Sequence, residues 1–433
     1  MKFYSTKNRG HAVSLRDAVL KGMPTDNGLY MPERIPELPS SFFKQKSASF
    51  QEISFEIAKQ FIEDDIPANV LHQLISDAIN FDAPLIPLSE QIQVLELFHG
   101  PTLAFKDFGA RFMSRVMSFF VKNSDESLNV LVATSGDTGS AVANGFYNVP
   151  GINVIILYPS GKISDIQEKQ IATLDKNITA LEIDGTFDDC QKLVKSAFVD
   201  PDLNKALRLT SANSINIARL IPQSFYYVWA ITRLTCDSDR EIIISVPSGN
   251  FGNLTAGLIA KKMGLPVTKF VAATNSNSVV PEYLNQGKFV PRPSIQTISN
   301  AMDVGNPSNF ARMLDLYDHS LSKMKADIVG NIHSEDTTRQ MIKDVREQFG
   351  YTLDPHGAVG YSGLVSVLRD NQVGIFLETA HPAKFITIVE PIIESKIEIP
   401  DRLSKYLNRK KTSIKLKKDF ENFKEFLYFN KRD

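Results

Sequence analysis

Short aliphatic runs alternate with longer helix-like stretches from about Glu96 onward, and this alternation is the main structural signal of the chain. Strands that alternate with helices predict βαβ units and mostly parallel sheets with both faces covered. In such folds, ligands bind at the carboxyl ends of the strands, where the turns are. The pattern predicts strands at residues 129–133, 153–158, 242–246 and 374–377, and helices at 140–146, 163–174 and 254–263.

The first ninety or so residues have a different sequence pattern. Two proline clusters, at residues 32–39 and 84–87, flank a stretch at 50–79 that has a helical pattern. Proline clusters are typical of connections between elements, so we expect a mostly helical N-terminal segment.

The C-terminus is the one compositionally biased region. Residues 402–433 hold 11 basic and 4 acidic residues, a net charge of +7, so the rest of the chain carries −8. One interpretation is an RNA- or membrane-binding tail. The favoured one is an amphipathic helix whose residues Phe420, Phe423, Phe426 and Leu427 pack against the body, because charge runs mostly solvate one face of a helix.

Composition and charge exclude several classes of protein. The 433 residues favour two or three domains at about 150 residues each. A net charge of −1 argues against a dedicated nucleic-acid binder. The longest apolar run, residues 225–231, is far shorter than the ~20 residues that span a bilayer, and the N-terminus has no signal-peptide core. We therefore expect a cytoplasmic protein without membrane contact. Two cysteines, Cys190 and Cys236, exclude a disulfide framework; one bridge is conceivable, but two reduced thiols fit a cytosolic protein better.

Several common site motifs are missing from the sequence, namely the dinucleotide fingerprint, the P-loop, the zinc HExxH pattern and the GxSxG elbow. A lysine in an unusual setting is present instead, in HGPTLAFKDFG at residues 99–109. Aromatic neighbours of Lys106 disfavour its charged form, and its amine then becomes a better nucleophile for a carbonyl. A lysine taken alone is by default a surface charge.

Two glycine-containing turns each follow a predicted strand and open a predicted helix. They are ATSGDTG, at residues 133–139, and VPSGNFGN, at residues 246–253. The N–H groups at the start of a helix, together with its dipole, attract a carboxylate or a phosphate. An ordinary capped turn explains each motif equally well on its own, because Ser, Thr and Asp are preferred caps. Two such turns together with a hydrophobically framed lysine favour a binding site.

Two further segments fit the same site. SANSINIAR, at residues 211–219, places an arginine after polar donors, and arginine is suited to a phosphate or carboxylate fork. ETAHPAK, at residues 378–384, follows a strand-like run and offers the Thr379 hydroxyl to a ring nitrogen; a simple strand-end turn is the alternative.

Taken together, these motifs resemble the threonine synthases, which use pyridoxal 5′-phosphate and belong to the tryptophan-synthase-β-like superfamily. HGPTLAFKDFG, ATSGDTG, ILYPSGKIS, SANSINIAR, VPSGNFGN, NAMDVGNPSN and ETAHPAKF occur in the family's order, up to about residue 400, with the tail outside the pattern. The resemblance implies an α/β fold of two open parallel-sheet lobes around a pyridoxal-phosphate cleft (fold type II). It implies an N-terminal segment 1–92, a smaller lobe 93–210 with the cofactor lysine, and a larger lobe 211–433.

The resemblance also implies the site residues. Lys106 would hold the cofactor as a Schiff base and transfer protons. Cofactor contacts would come from Gly249, Asn250, Phe251, Gly252, Asn253 and Thr379. The substrate carboxylate would lie on Ser135, Gly136, Asp137 and Thr138, and the substrate phosphate on Asn213, Ser214 and Arg219.

The implied activity is that of a lyase which converts O-phospho-L-homoserine and water to L-threonine and phosphate, the last step of threonine biosynthesis. A serine/threonine dehydratase with the same cofactor is the alternative, and it would have no use for Arg219. A catalytically silent binding module is a third possibility, and Lys106 argues against it. We expect a small-molecule substrate, no metal, and a monomer or homodimer.

Overall fold

The computed structural model describes residues 1–122, 124, 126–235 and 240–430. Its strands are β1 (Phe3–Ser5), β2 (Asn8–Val13), β3 (Tyr30–Pro32), β4 (Leu85–Pro87), β5 (Ile92–Glu96), β6 (Leu128–Ala133), β7 (Ile152–Pro159), β8 (Ile178–Asp184), β9 (Arg208–Ser211), β10 (Glu241–Pro247), β11 (Lys269–Thr274), β12 (Ile328–Ile332), β13 (Gln372–Glu378) and β14 (Ile414–Lys417).

The helices follow in chain order. They are α1 (Leu15–Lys21), α2 (Phe50–Ile62), α3 (Ala68–Ala78), α4 (Lys106–Val121), α5 (Asp137–Phe146), α6 (Asp165–Ala172), α7 (Phe187–Val199), α8 (Pro201–Ala206), α9 (Ile217–Leu220), α10 (Phe225–Arg233), α11 (Gly252–Lys262), α12 (Val279–Gln286), α13 (Phe310–Leu316), α14 (Leu321–Asp327), α15 (Glu335–Phe349), α16 (Pro355–Val365), α17 (Ile386–Ile393), α18 (Asp401–Leu407) and α19 (Phe420–Phe429).

The N-terminal segment combines helices with a small sheet that the sequence pattern did not predict. The predicted helical stretch is confirmed as two helices, α2 and α3. Ser49 begins the first of them with a reciprocal capping box to Glu52, and Pro67 precedes the second. The unpredicted sheet is antiparallel, in the order β2-β1-β3.

A five-stranded parallel sheet has the order β14-β8-β7-β6-β9. Strand β6, which lies between β7 and β9, is buried along its whole length, as expected for a parallel strand with helices on both faces. The chain leaves β6 through the ATSGDTG turn, so this turn lies at the carboxyl end of the sheet.

A six-stranded sheet has the order β12-β11-β10-β13-β5-β4 and is parallel except for β4, which runs antiparallel to β5. Three neighbouring strands, β10, β13 and β5, end at the VPSGNFGN turn, at Thr379 and at the segment before Lys106. The predicted strands and helices are therefore confirmed, as is the α/β class with two parallel-sheet units.

The predicted lobe boundaries remain a prediction, but strand pairing departs from them in two places. Strand β5, which precedes Lys106, lies in the larger sheet, although the boundaries place this lysine's segment in the smaller lobe. Strand β14 of the basic tail pairs with β8 in the smaller sheet, although the boundaries place the tail in the larger lobe. Both pairings join segments far apart in sequence, so local patterns carry no information about them.

The tail packs onto the body as the favoured interpretation predicts. In α19, Phe423 and Leu427 are buried, and Phe420 and Phe426 pack against the same cluster. Cys190 is buried as a free thiol, and Cys236 lies outside the described residues. Within the described part of the chain, no helix is long and apolar enough to cross a membrane.

Candidate active site

The carboxyl ends of both parallel sheets open into one cavity of about 480 Å³. Strands β6 and β9 contribute residues from one sheet, and β10 and β13 contribute residues from the other. Thirteen of the fourteen predicted site residues line it: Lys106, Ser135, Asp137, Thr138, Asn213, Ser214, Arg219, Gly249, Asn250, Phe251, Gly252, Asn253 and Thr379. The remaining residue, Gly136, forms the turn behind Ser135 and Asp137. Segments from five parts of the sequence thus converge on one site.

Lys106 begins α4 and points into the cavity. Its Nζ lies 4.9 Å from the centre of the Phe105 ring. Burial is the main influence on the amine and lowers its pKa from 10.5 to about 8, with Arg219 and Lys384 adding to the effect and Asp137 opposing it. The neutral amine is therefore far more populated near physiological pH than in an ordinary lysine, as the aromatic setting predicted.

The next residue, Asp107, fixes the segment that leads to the lysine. Its carboxylate accepts bonds from the N–H and the hydroxyl of Thr102, both at 2.8 Å. The position of Lys106 is therefore set by a fully buried contact behind it.

The turn between β10 and α11 forms an anion cradle. Among the hydrogen bonds of the described residues, none uses the backbone N–H groups of Gly249 to Asn253. Phe251 adopts a left-handed conformation, with φ of 60°, and precedes the first helical residue. Gly249 lies so close to residues 301–302 that a Cβ would be 2.7 Å from the Cα of Met302. Consecutive unpaired N–H groups at a helix start suit a phosphate.

Two asparagine side chains complete this turn. The Asn250 amide donates to the Ser214 hydroxyl at 2.5 Å, and its oxygen accepts from the Ser308 N–H at 2.6 Å. The oxygen of Asn253 accepts from the hydroxyls of Tyr226 and Tyr227, both at 2.6 Å. Its buried amide nitrogen has no partner among the described residues. An unpaired donor beside five unpaired N–H groups strengthens the case for an anion there.

A second cradle lies at the start of α5. The Thr134 hydroxyl accepts from the N–H groups of Gly136, at 2.9 Å, and Gly139, at 2.8 Å. Gly136 has φ of 134°, and a Cβ there would be 2.4 Å from the Gln167 side chain. The N–H groups of Ser135, Asp137 and Thr138 take part in none of the hydrogen bonds found within the described residues. These three donors can receive a carboxylate.

The Asp137 carboxylate has a different role from its backbone. Its Oδ1 lies 2.6 Å from Lys384 Nζ and accepts from the Gln167 amide at 2.9 Å. Burial opposes the charged form, but Lys384 and Lys106 outweigh it and hold the pKa of Asp137 well below its usual range. Any substrate contact at this position therefore involves the main chain, since the side chain already has its partners.

Arg219 lies at the floor of the cavity, against Gly109. Its Nη1 donates to the Ala212 carbonyl at 2.6 Å, while its buried Nε has no partner among the described residues. Burial lowers its pKa to about 10. Asn213 donates to the Ala133 carbonyl at 2.8 Å and so fastens the segment after β9 to the end of β6. A buried cation without a carboxylate partner indicates an anion-binding position.

Thr379 follows β13 on the opposite wall. Its carbonyl accepts from the Phe105 N–H at 2.9 Å, which joins this strand end to the residue before Lys106. Within the described residues, no hydrogen bond occupies its hydroxyl, which faces the cavity. The hydroxyl is thus free to meet a polar atom of a bound ring.

Sequence reasoning missed several residues of this site. Met23, Asn27 and Leu29 reach the cavity from the N-terminal segment, and Phe187 and Val199 reach it from α7. His356 also lines it; the Ala301 N–H donates to its Nε2 at 3.2 Å, and Asp354 holds its Nδ1. None of these residues has a local signature, because each contributes through tertiary packing.

Family models cover nearly the whole chain. A model described as "Threonine synthase N terminus" matches residues 2–79, "Pyridoxal-phosphate dependent enzyme" matches 83–374, and "Threonine synthase, C-terminal" matches 357–427. The last match runs through most of the basic tail, so the expectation that the pattern ends near residue 400 was wrong.

Full-length relatives agree with these models. A threonine synthase of Buchnera aphidicola subsp. Schizaphis graminum is 44% identical over 429 residues, which are 99% of each chain. A crystal structure of threonine synthase from Escherichia coli matches with a TM-score of 0.94 at 42% identity, covering 99% of this chain and 100% of that one. A pyridoxal-phosphate-bound threonine synthase from Brucella melitensis matches with a TM-score of 0.94 at 32% identity, covering all of both chains.

Proposed function

The chain belongs to the threonine synthase family, and from this membership and the site geometry we propose that it converts O-phospho-L-homoserine and water to L-threonine and phosphate. It is a pyridoxal-phosphate-dependent lyase of threonine biosynthesis. The dehydratase alternative is not favoured, since the full-length relatives carry the threonine synthase name.

The residues at the end of β10 fit pyridoxal phosphate. Five unpaired N–H groups and the orphaned Asn253 amide suit its phosphate, and the close approach at Gly249 leaves room for backbone only. The Thr379 hydroxyl suits its pyridine nitrogen. This anion cradle, placed opposite a lysine with a lowered pKa, is the observation that carries the proposal. When bound, the cofactor supplies an electron sink for carbanions formed at the substrate.

Lys106 has two roles in this proposal. It binds the cofactor covalently through its amine, and it removes and returns protons at the substrate carbons. Both roles need a neutral amine, and burial lowers the pKa of this one to about 8. Phe105 and the start of α4 orient it toward the cavity.

The substrate is held at two places. The N–H groups of Ser135, Asp137 and Thr138 receive its carboxylate, with Gly136 setting the turn. Its phosphate lies toward Asn213, Ser214 and Arg219, where the positive charge of the guanidinium stabilises the charge that develops as phosphate leaves. Water is then added at Cβ, which yields the hydroxyl of threonine.

The decisive experiment measures both products. Purified full-length protein with pyridoxal phosphate is expected to release phosphate and form threonine from O-phospho-L-homoserine in equal amounts. A visible absorption that borohydride removes is expected for the wild type and not for Lys106→Ala. If the protein deaminates threonine or serine but does not turn over O-phospho-L-homoserine, the assignment is contradicted.

Arg219→Ala tests the phosphate position. We expect a loss in kcat/KM of about 2 kcal/mol, the scale for a lost charge-assisted contact, which is roughly 30-fold. An Arg219→Ala variant that turns over O-phospho-L-homoserine at the wild-type rate would contradict the assigned position.

We propose that the enzyme is cytoplasmic and acts as a monomer or homodimer. We also propose that it has no nucleic-acid partner, which its near-zero net charge supports. The lobe division at residues 93–210 and 211–433 is kept as a proposal, with β5 and β14 exchanged between the sheets. Light scattering after size-exclusion chromatography measures the assembly state.

A further inference from the structure

A fully buried ion pair joins the two parallel-sheet units directly behind the candidate active site. The Lys384 ammonium lies 2.6 Å from the Asp137 carboxylate, and the side chains are 0% and 4% exposed. Lys384 follows β13 of the six-stranded sheet, whereas Asp137 begins α5 after β6 of the five-stranded sheet. Lys384 also donates to the Thr102 carbonyl at 3.0 Å, in the segment that leads to Lys106.

The charges of Asp137 and Lys384 also act on the amine of Lys106. The groups whose charges act on its amine are Asp137, Arg219, Lys384 and Asp354, which come from four different segments. The Asp137 carboxylate is the first of these and favours the charged form of Lys106. Within the described residues, however, its ion pair within 4 Å is with Lys384 and not with Lys106.

A buried carboxylate needs a cationic partner or it loses its charge. If Lys384 were absent, Lys106 would be the remaining lysine near Asp137, since Gln167 supplies only a neutral amide. An ion pair between Asp137 and Lys106 would favour the ammonium form, and an ammonium cannot attack a carbonyl or accept a proton.

We propose that Lys384 is a positioning residue, which occupies the Asp137 carboxylate and thereby leaves the amine of Lys106 free to react. This inference rests on the proposed role of Lys106 as the cofactor lysine. It assigns to ETAHPAKF a second contribution, besides the Thr379 hydroxyl, from a residue that does not line the cavity.

The test measures the reactivity of Lys106 itself. The full-length chain, freed of cofactor with hydroxylamine, is labelled with acetic anhydride across a pH series, and modification of Lys106 is quantified by mass spectrometry. In Lys384→Met we expect the midpoint of Lys106 labelling to rise by at least about one pH unit, equivalent to tenfold less free amine below the midpoint. Lys396→Met, which removes an exposed lysine of the same region, is the matched control and keeps the wild-type midpoint.

The double variant Asp137→Asn/Lys384→Met separates charge from shape. Without the carboxylate there is nothing to draw Lys106 into an ion pair, so its midpoint returns to the wild-type value or below. An unchanged midpoint in Lys384→Met, or a raised midpoint that persists in the double variant, would overturn the proposal. If Lys384→Met does not fold, the labelling of Lys106 is measured in Asp137→Asn alone. We expect its pH midpoint to fall below that of the wild type, and an unchanged or higher midpoint overturns the proposal.

Failure of this inference can be distinguished from failure of the proposed function. If another lysine carried the cofactor, borohydride reduction followed by peptide mapping would place the label elsewhere. The pH series of Lys106 would still report the effect of Lys384.

Discussion

A methyl group at position 249 should break the anion cradle at the start of α11. In Gly249→Ala the new Cβ would lie 2.7 Å from the Cα of Met302 and 2.8 Å from the carbonyl oxygen of Ala301. Carbon atoms in contact need about 3.5–4.0 Å, so the turn or the facing backbone must move by roughly 1 Å. Neither neighbour is a flexible side-chain end, so no rotamer change can relieve the clash.

The cost follows from hydrogen-bond geometry. N–H···O bonds weaken steeply outside about 2.7–3.2 Å, so a shift of this size removes at least one bond to the phosphate. A hydrogen bond to a charged group contributes about 1.5–3 kcal/mol, and the dissociation constant of pyridoxal phosphate should therefore rise about 10- to 100-fold.

Equilibrium titration of the cofactor-free full-length chain with pyridoxal phosphate, followed by absorption, measures this constant. Gly10→Ala is the control, because its Cβ would meet only the flexible end of Asn8, at 3.2 Å. Circular dichroism confirms that both variants are folded. If Gly249→Ala binds the cofactor within about twofold of the wild type, the assignment of this turn to the phosphate is refuted.

Three further predictions concern the surroundings of the site. Thr134→Val removes the acceptor of two buried N–H groups, and we expect the free energy of unfolding in urea to fall by about 2–4 kcal/mol; a loss below about 0.5 kcal/mol would contradict this. Burial raises the pKa of Glu378 well above 4.5, with Asp354 adding to it, so the contribution of Glu378 to stability falls as pH rises above about 4.5. Glu378→Gln should therefore gain stability over the wild type as pH rises, and a pH-independent difference would contradict the burial argument. Phe423→Ala should cost about 3–5 kcal/mol, whereas Phe429→Ala, at a site 81% exposed, should stay within about 0.5 kcal/mol; equal effects would show that α19 is not packed as described.

The turns of the site could be located from the sequence because each follows a strand buried on both faces. Such strands are short aliphatic runs, as β6 and β10 are, and the glycines and hydroxyl residues that follow them are the residues a helix start needs. Parallel strands then bring these ends to the same edge of their sheet. This geometry places each turn at the carboxyl end of its own sheet, whereas the packing of the two sheets brings the turns to one cavity.

The partners of these residues could not be predicted in the same way. Nothing in the motif ETAHPAKF distinguishes Lys384 from a surface lysine. Its ion pair with Asp137 depends on the packing of the two sheets. The sequence places Asp137 at the substrate carboxylate but does not distinguish its side chain from its backbone. The structure pairs the side chain with Lys384 and Gln167, and the N–H of Asp137 has no partner among the described residues. The N-terminal residues Met23 and Leu29 reach the cavity for reasons that no local pattern contains.

The basic tail acquires a structural role from the same long-range contacts. Lys411 Nζ lies 2.5 Å from Glu168 and 2.7 Å from Glu182, so part of the tail's charge of +7 is matched by the body's −8. A single ion pair of this kind contributes at most about 1 kcal/mol, but the contact has a specific location. Glu168 lies in α6, and the preceding residue, Gln167, donates to the Asp137 carboxylate. The tail is therefore attached to α6, the helix that supports one side of the ion pair between Asp137 and Lys384.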